Sequence, residues 1–214
     1  MPTTPRRALL VIDVQNEYFT GRLPIAYPPV EQSLRNIGQA MEAAREAGIP
    51  VIHVLHDSPE GAPLFAPDSD GWRPHPILAS PAADHTVHKT RASAFMGTDL
   101  ADWLGARDID TVTVVGYMTH NCDAVTIFDA LHRGLSAEFL SDASGSPAYR
   151  NAAGQASGEE IHRVFCTVFH SNFAAVTTTA GWIEALRAGR ALKKDNIFLS
   201  SQRADPAYRA RPES

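Results

Sequence analysis

The chain has 214 residues, 44% of them hydrophobic, and a formal net charge of −5. That is enough sequence to bury a substantial core in a single domain, expected to span 1–214 with its core at about 8–188 and a tail at 189–214. The mild acidity, with no basic patch interleaved with aromatics, argues against nucleic acid or a membrane surface as partner. The N-terminal apolar run, Ala8 to Val14, is broken by Asp13 and is too short for a signal peptide or a membrane span. Two cysteines, Cys122 and Cys166, make no disulfide framework, and together with the absence of targeting they point to a reducing cytoplasm.

Taken in order, Ala8-Leu9-Leu10-Val11-Ile12-Asp13-Val14 reads as a strand covered on both faces, as in a parallel sheet, with an aspartate near its C-terminal end. Ligands of parallel sheets bind outside such strand ends. Asp13 also fits a plain turn or helix cap. Val30, Leu34, Ile37, Met41 and Ala44 mark one face of a helix closed by Gly48. Ile49 to His56 is a second buried strand. The segment Asp57 to Ala83 is rich in Pro, Gly, Ser and Asp, and a loop of that length usually serves or covers a site. Phe65, Trp72 and His75 either line a pocket there or anchor the loop. His85 to Lys89 is a short strand ending in a lysine, a residue ordinarily solvated. Thr98 is positioned to cap a helix carrying Leu100, Trp103 and Leu104.

Thr111 to Gly116 is a further apolar strand. After a short polar turn, Ala124, Ile127, Phe128 and Leu131 share a helix face, which places Cys122 at the helix start. There it meets unpaired backbone N–H groups and the positive end of the helix dipole, so its thiol is expected to ionise below the free value of about 8.5. The alternative is a buried cysteine acting as a small hydrophobe. Leu135 to Leu140 is a strand running into Ser141-Asp142-Ala143. Ile161, Val164, Phe165, Val168 and Phe169 form a helix face with Cys166 on its flank, read as packing. Phe173 to Thr179 is a last strand, and Trp182, Ile183 and Leu186 face inward from a last helix. Strand and helix alternate throughout, which implies an α/β fold: a three-layer α/β/α sandwich with a mostly parallel, Rossmann-like central sheet. In such a sheet Asp13, Lys89 and Cys122 all lie toward the same edge.

Ala8-Leu9-Leu10-Val11-Ile12-Asp13-Val14-Gln15-Asn16, then His88-Lys89 with Ser93-Ala94-Phe95, then Gly116-Tyr117-Met118-Thr119-His120-Asn121-Cys122 resemble the isochorismatase-like cysteine hydrolases, which include nicotinamidases and other small amidases. The segment Ser141-Asp142-Ala143 is similar as well. The resemblance implies a catalytic triad of Asp13, Lys89 and Cys122. Asp13 would move the proton, Lys89 would balance charge, and Cys122 would attack a carbonyl to form a thioester. It further implies an oxyanion hole from the backbone N–H groups of Met118 and Cys122, a cis Tyr117–Met118 peptide bond, a small-molecule substrate, and a homo-oligomer, dimeric or larger.

The sequence departs from its relatives at two points. The Asp-x-His unit of the nicotinamidase metal site is missing, because Asp57 is followed by Ser58 and Pro59. His53 and His56, three apart in a strand, leave opposite faces, so no metal and no cofactor is expected. Asp123 follows the cysteine and would either cap the helix or raise the thiol pKa. Three functions compete: hydrolysis of a small amide or carbamoyl compound, isochorismatase-type hydrolysis of a vinyl ether, in which the cysteine is dispensable, and a non-catalytic binding module. Tyr18, Phe19, Trp72 and Tyr117 are the candidates for substrate contact, each equally able to be packing.

Overall fold

The computed structural model describes residues 4–79 and 82–205. Positions 80–81 of the long loop and 206–214 of the tail lie outside the described residues. Six strands form one sheet: β1 (Arg7–Ile12), β2 (Val51–His56), β3 (His85–Lys89), β4 (Thr111–Tyr117), β5 (Ser136–Gly145) and, after a hairpin, β8 (Ala175–Thr177). Their spatial order is β3-β2-β1-β4-β5-β8 and every pairing is parallel. The order reverses between β1 and β4, and the crevice at such a switch point is where open α/β sheets bind ligands.

The alternation of side chains divides each buried strand between two cores. Ala8, Leu10 and Ile12 of β1, with Val112 and Val114 of β4, pack under α2 (Leu100–Gly105), α3 (Ala124–His132) and the segment around Phe169. Leu9, Val11, Val115 and Tyr117 pack instead under α1 (Val30–Glu46) and α5 (Thr179–Arg187), through Ile37, Met41, Ala44 and Trp182. This is why the strand reads as a continuous apolar run: neither face meets water. Gly116 lets β1 and β4 close up at the switch point. Its φ is +116°, and a Cβ there would overlap the Ile12 carbonyl oxygen.

Some boundaries differ from those the sequence suggests. β5 runs on to Gly145 because a register shift between Val114 and Gly116 lets Ser144 and Gly145 pair with Gly116 and Tyr117. The segment after it forms an antiparallel hairpin, β6 (Tyr149–Asn151) and β7 (Gly154–Ala156), too short and polar to show a period. A capping box of Ser157 and Glu160 opens α4 (Gly158–Val168). Of the apolar face expected on α4, Phe169 is buried but Val164 and Val168 are exposed, so that face is narrower than its periodicity implies. Asp99 occupies the cap position of α2 without a side-chain cap bond, and Thr98, one residue earlier, donates its hydroxyl to the Ala94 carbonyl at 2.6 Å and accepts the Leu100 N–H at 3.4 Å. The last strand is shorter than expected because Phe169–Phe173 form a π-helical turn. The tail contains a helix, α6 (Ile197–Ala204), with no buried residue. No helix among the described residues is long and apolar enough to cross a membrane.

Candidate active site

Three strand ends and one turn supply the site. Asp13 directly follows β1 in a left-handed conformation (φ 51°), which asparagine and aspartate tolerate better than most residues. It is anchored by its own N–H to the Val54 carbonyl at 2.7 Å and by its carbonyl to the Gln15 N–H at 2.8 Å. Lys89 ends β3, two strands away, and its side chain spans the end of β2 to reach β1. Cys122 lies in a single π-helical turn, Thr119–Asp123, between β4 and α3. That turn closes on the Met118 carbonyl, which accepts the Asn121 and Asp123 N–H groups at 3.0 and 3.2 Å. Its outer residues are tied down by side chains: Thr119 Oγ1 and His162 Nδ1 are 2.7 Å apart, and His120 Nε2 and Tyr149 Oη 2.9 Å. The Tyr117–Met118 peptide bond is cis.

The side chains converge on the Lys89 ammonium. Lys89 Nζ donates to Asp13 Oδ2 at 2.8 Å and to Cys122 Sγ at 3.2 Å, and it lies 3.1 Å from His56 Nδ1. Asp13 and Lys89 are 0% and 1% exposed, so this ion pair is shielded from water. Burial opposes the Lys89 charge, but Asp13 and then Cys122 outweigh it and hold the lysine above its ordinary pKa. The thiol behaves otherwise than its place at a helix start implies. Burial, followed by the Asp13 carboxylate, pushes Cys122 well above the usual thiol range, against the pull of Lys89. The Asp13 carboxylate lies close to this sulfur, placed to exchange a proton with it.

Asp123 does not cap α3: its side chain makes no cap hydrogen bond. It is fully buried, and burial, reinforced by the Asp13 charge, pushes its carboxyl up to about 8. Asp13, His56 and Cys122 offer donor atoms within 4.8 Å of one another, a spacing that would suit a metal ion. The Lys89 ammonium already bonds to all three, so a cation of the protein's own fills that position. Asp57 is likewise engaged, accepting Trp72 Nε1–H at 2.7 Å and lying 2.9 Å from His88 Nδ1.

A cavity of about 390 Å³ opens onto Cys122 and Asp13. Tyr18, Leu23, Leu64, Phe65, Ala92 and Met118 give it an apolar wall; Ser58, Thr90, Arg91 and Asn121 are its polar side. Of the residues considered for substrate contact, Tyr18 lines this cavity. Tyr117 does not: its ring is buried and its hydroxyl lies 2.7 Å from Ser33 Oγ. Phe19 packs on His75 and Tyr117, and Trp72 holds Asp57, so both brace the loop. Of the long loop's aromatic residues, Phe65 reaches the cavity, packing on Tyr18 and His56 with ring centroids 5.4 and 5.3 Å away. His56 is the site residue that sequence spacing overlooks. Its spacing in sequence relates it to His53, whereas the register pairs it with Lys89.

Comparison with known proteins agrees with this fold. Residues 7–181 match the family model described as the Isochorismatase domain. A crystal structure of an isochorismatase-type protein from Burkholderia xenovorans LB400 superposes with a TM-score of 0.94 at 59% identity, over 98% of this chain and 100% of that one. Isochorismatase family protein YddQ of Bacillus subtilis is 28% identical over 180 residues, covering 83% of this chain and 98% of the relative. A cysteine hydrolase from Pseudomonas syringae pv. phaseolicola 1448A superposes with a TM-score of 0.78 at 29% identity, over 86% and 93% of the two chains. A parallel sheet of this order, matched over its whole length by the family model, makes the chain a member of the isochorismatase family of hydrolases.

Proposed function

We propose that the chain hydrolyses the C–N bond of a small amide or carbamoyl compound through a thioester. The observation that carries this reading is the buried contact of one ammonium with both a carboxylate and a thiol. A vinyl-ether hydrolase needs the acid but has no use for the sulfur. N-carbamoylsarcosine amidase and nicotinamidase/pyrazinamidase are among the relatives, and their names describe amide hydrolysis; streptothricin hydrolase is another relative.

In the proposed cycle Asp13 takes the Cys122 proton as the sulfur attacks the carbonyl carbon. Lys89 offsets the negative charge that passes between them. The oxyanion is met by the backbone N–H groups of Met118 and Cys122. As the C–N bond breaks, Asp13 returns the proton to the leaving nitrogen, which departs as ammonia or an amine. Water, deprotonated by Asp13, then cleaves the S–C bond to give the carboxylic acid and restore the thiol. The apolar wall accepts a compact organic group, and Arg91 offers a cationic contact at the rim. Self-association with further copies of the chain is part of the same reading, since α6 leaves Ile197 and Phe198 uncovered.

The test is ammonia release from a panel of small amides and ureas, with and without a carboxylate. Turnover by the wild type, abolished in Cys122→Ala, is expected. No release from any member, with a vinyl ether cleaved equally well by Cys122→Ala, would replace this reading with isochorismatase chemistry.

A further inference from the structure

We propose that His56 is a positioning residue of this site, its Nδ1 accepting the third proton of the Lys89 ammonium and so holding that cation between Asp13 and Cys122. The proposal builds on the roles assigned above to Asp13, Lys89 and Cys122. An ammonium carries three N–H donors and no acceptor. Two are directed to Asp13 Oδ2 and Cys122 Sγ; His56 Nδ1, at 3.1 Å, takes the last. Without it, a donor on a side chain only 1% exposed would go unmet, and an unmatched buried charge is costly. Because Lys89 can only donate, Nδ1 must be bare. The ring is then neutral, with its proton on Nε2.

Three features hold the ring there. His56 and Lys89 are register partners on adjacent strands, so their side chains leave the sheet edge together. The fully buried Gln15 clamps the His56 backbone from both sides: its Nε2 donates to the His56 carbonyl at 3.0 Å, and its Oε1 accepts the His56 N–H at 2.9 Å. Phe65 packs edge-on against the imidazole. Gln15 lies two residues beyond Asp13, so the segment that supplies the carboxylate also fixes the histidine. The titratable groups facing the ring are Lys89, Asp13, Asp57 and the Cys122 thiol, whose sulfur lies within 4.8 Å of it. Burial, then Lys89, lower its pKa, while Asp13 and Asp57 oppose them. Protonation of His56 would put an N–H on Nδ1 against an ammonium N–H, setting donor against donor and cation against cation. The contact then breaks and the ammonium is freed to leave the sulfur. The site thus acquires a sensitivity to acid through His56.

Two measurements test this without any substrate, so they remain decisive even if the amide reading fails. The first is ¹⁵N NMR of the wild-type imidazoles at about pH 8, with His56 assigned by its loss in His56→Asn. A His56 signal with Nε2 protonated and Nδ1 bare is expected; a protonated Nδ1 overturns the proposal. The second is the rate of Cys122 alkylation by iodoacetamide against pH, in a Cys166→Ser background. His56→Leu removes the acceptor, so the thiolate loses its cation: the profile should move to higher pH, with a rate near pH 8 about tenfold lower. His56→Asn keeps an acceptor oxygen near the Nδ1 position and should recover the wild-type rate to within about threefold. A purely structural role would lower the melting temperature of both variants and leave the profile in place. Identical profiles for wild type and His56→Leu, or His56→Asn as slow as His56→Leu, would refute the proposal. Should His56→Leu not fold, the wild-type tautomer decides.

Discussion

Asp123 follows the proposed nucleophile directly, yet it is a buried acid rather than a cap, with its carboxyl pushed up to about 8. Its folded pKa lies above its unfolded one, so between about pH 4 and 8 the native state binds the extra proton. Stability from this group therefore falls as pH rises through that window. Asp123→Asn copies the neutral acid in shape. It is expected to stabilise the protein by on the order of 2–4 kcal/mol at neutral pH and by much less near pH 4. Thermal melts of both proteins at the two pH values check this; a gain that is equal at both, or a loss at neutral pH, contradicts it. Asp13, Lys89 and Cys122 could be found in the sequence because polar groups at the ends of apolar runs are conspicuous. His56 could not, since its importance depends on strand register and on a lysine 33 residues away. The thiol pKa departs from the sequence expectation for a related reason: the helix start is a local feature, whereas burial belongs to the tertiary structure and overrides it.

At the scale of elements, the opposite end of the sheet is pinned by a polar network. The Arg7 guanidinium donates to Glu138 through Nε and Nη2 at 2.8–3.1 Å, and Glu138 Oε2 also accepts from Thr113 Oγ1 and Trp182 Nε1 at 2.8 and 2.9 Å. One carboxylate thus joins β1, β4, β5 and α5. Glu138→Ala leaves a buried guanidinium without its partner and should cost about 3–5 kcal/mol. Replacing both partners together, as Arg7→Met with Glu138→Leu, should recover much of that loss. Urea unfolding measures it; a single-variant loss below about 1 kcal/mol would show the pair to be dispensable. The strands themselves were legible because parallel pairing imposes apolar runs. The β6–β7 hairpin and α6 were not, because the first is exposed and short and the second buries nothing that would give it a periodic face.

At the scale of the molecule, α6 presents Ile197 at 63% and Phe198 at 69% exposure, and Val164 and Val168 of α4 are exposed as well. Light scattering at micromolar concentration should give a dimer or larger closed assembly, and Ile197→Ser with Phe198→Ser should shift it toward monomer. A monomeric wild type would contradict this. The order of the sheet places β1 and β4 side by side at the switch point, so that groups from distant parts of the chain share one shielded site. In the proposed mechanism the sulfur of that site forms a covalent bond with the substrate. Once the amide panel supplies a substrate, mass spectrometry of the rapidly quenched reaction tests this most directly. An acyl adduct on the Cys122 peptide is expected, absent in Cys122→Ala, whose turnover should fall by on the order of a hundredfold or more. An unmodified cysteine throughout turnover, with Cys122→Ala fully active, would contradict it.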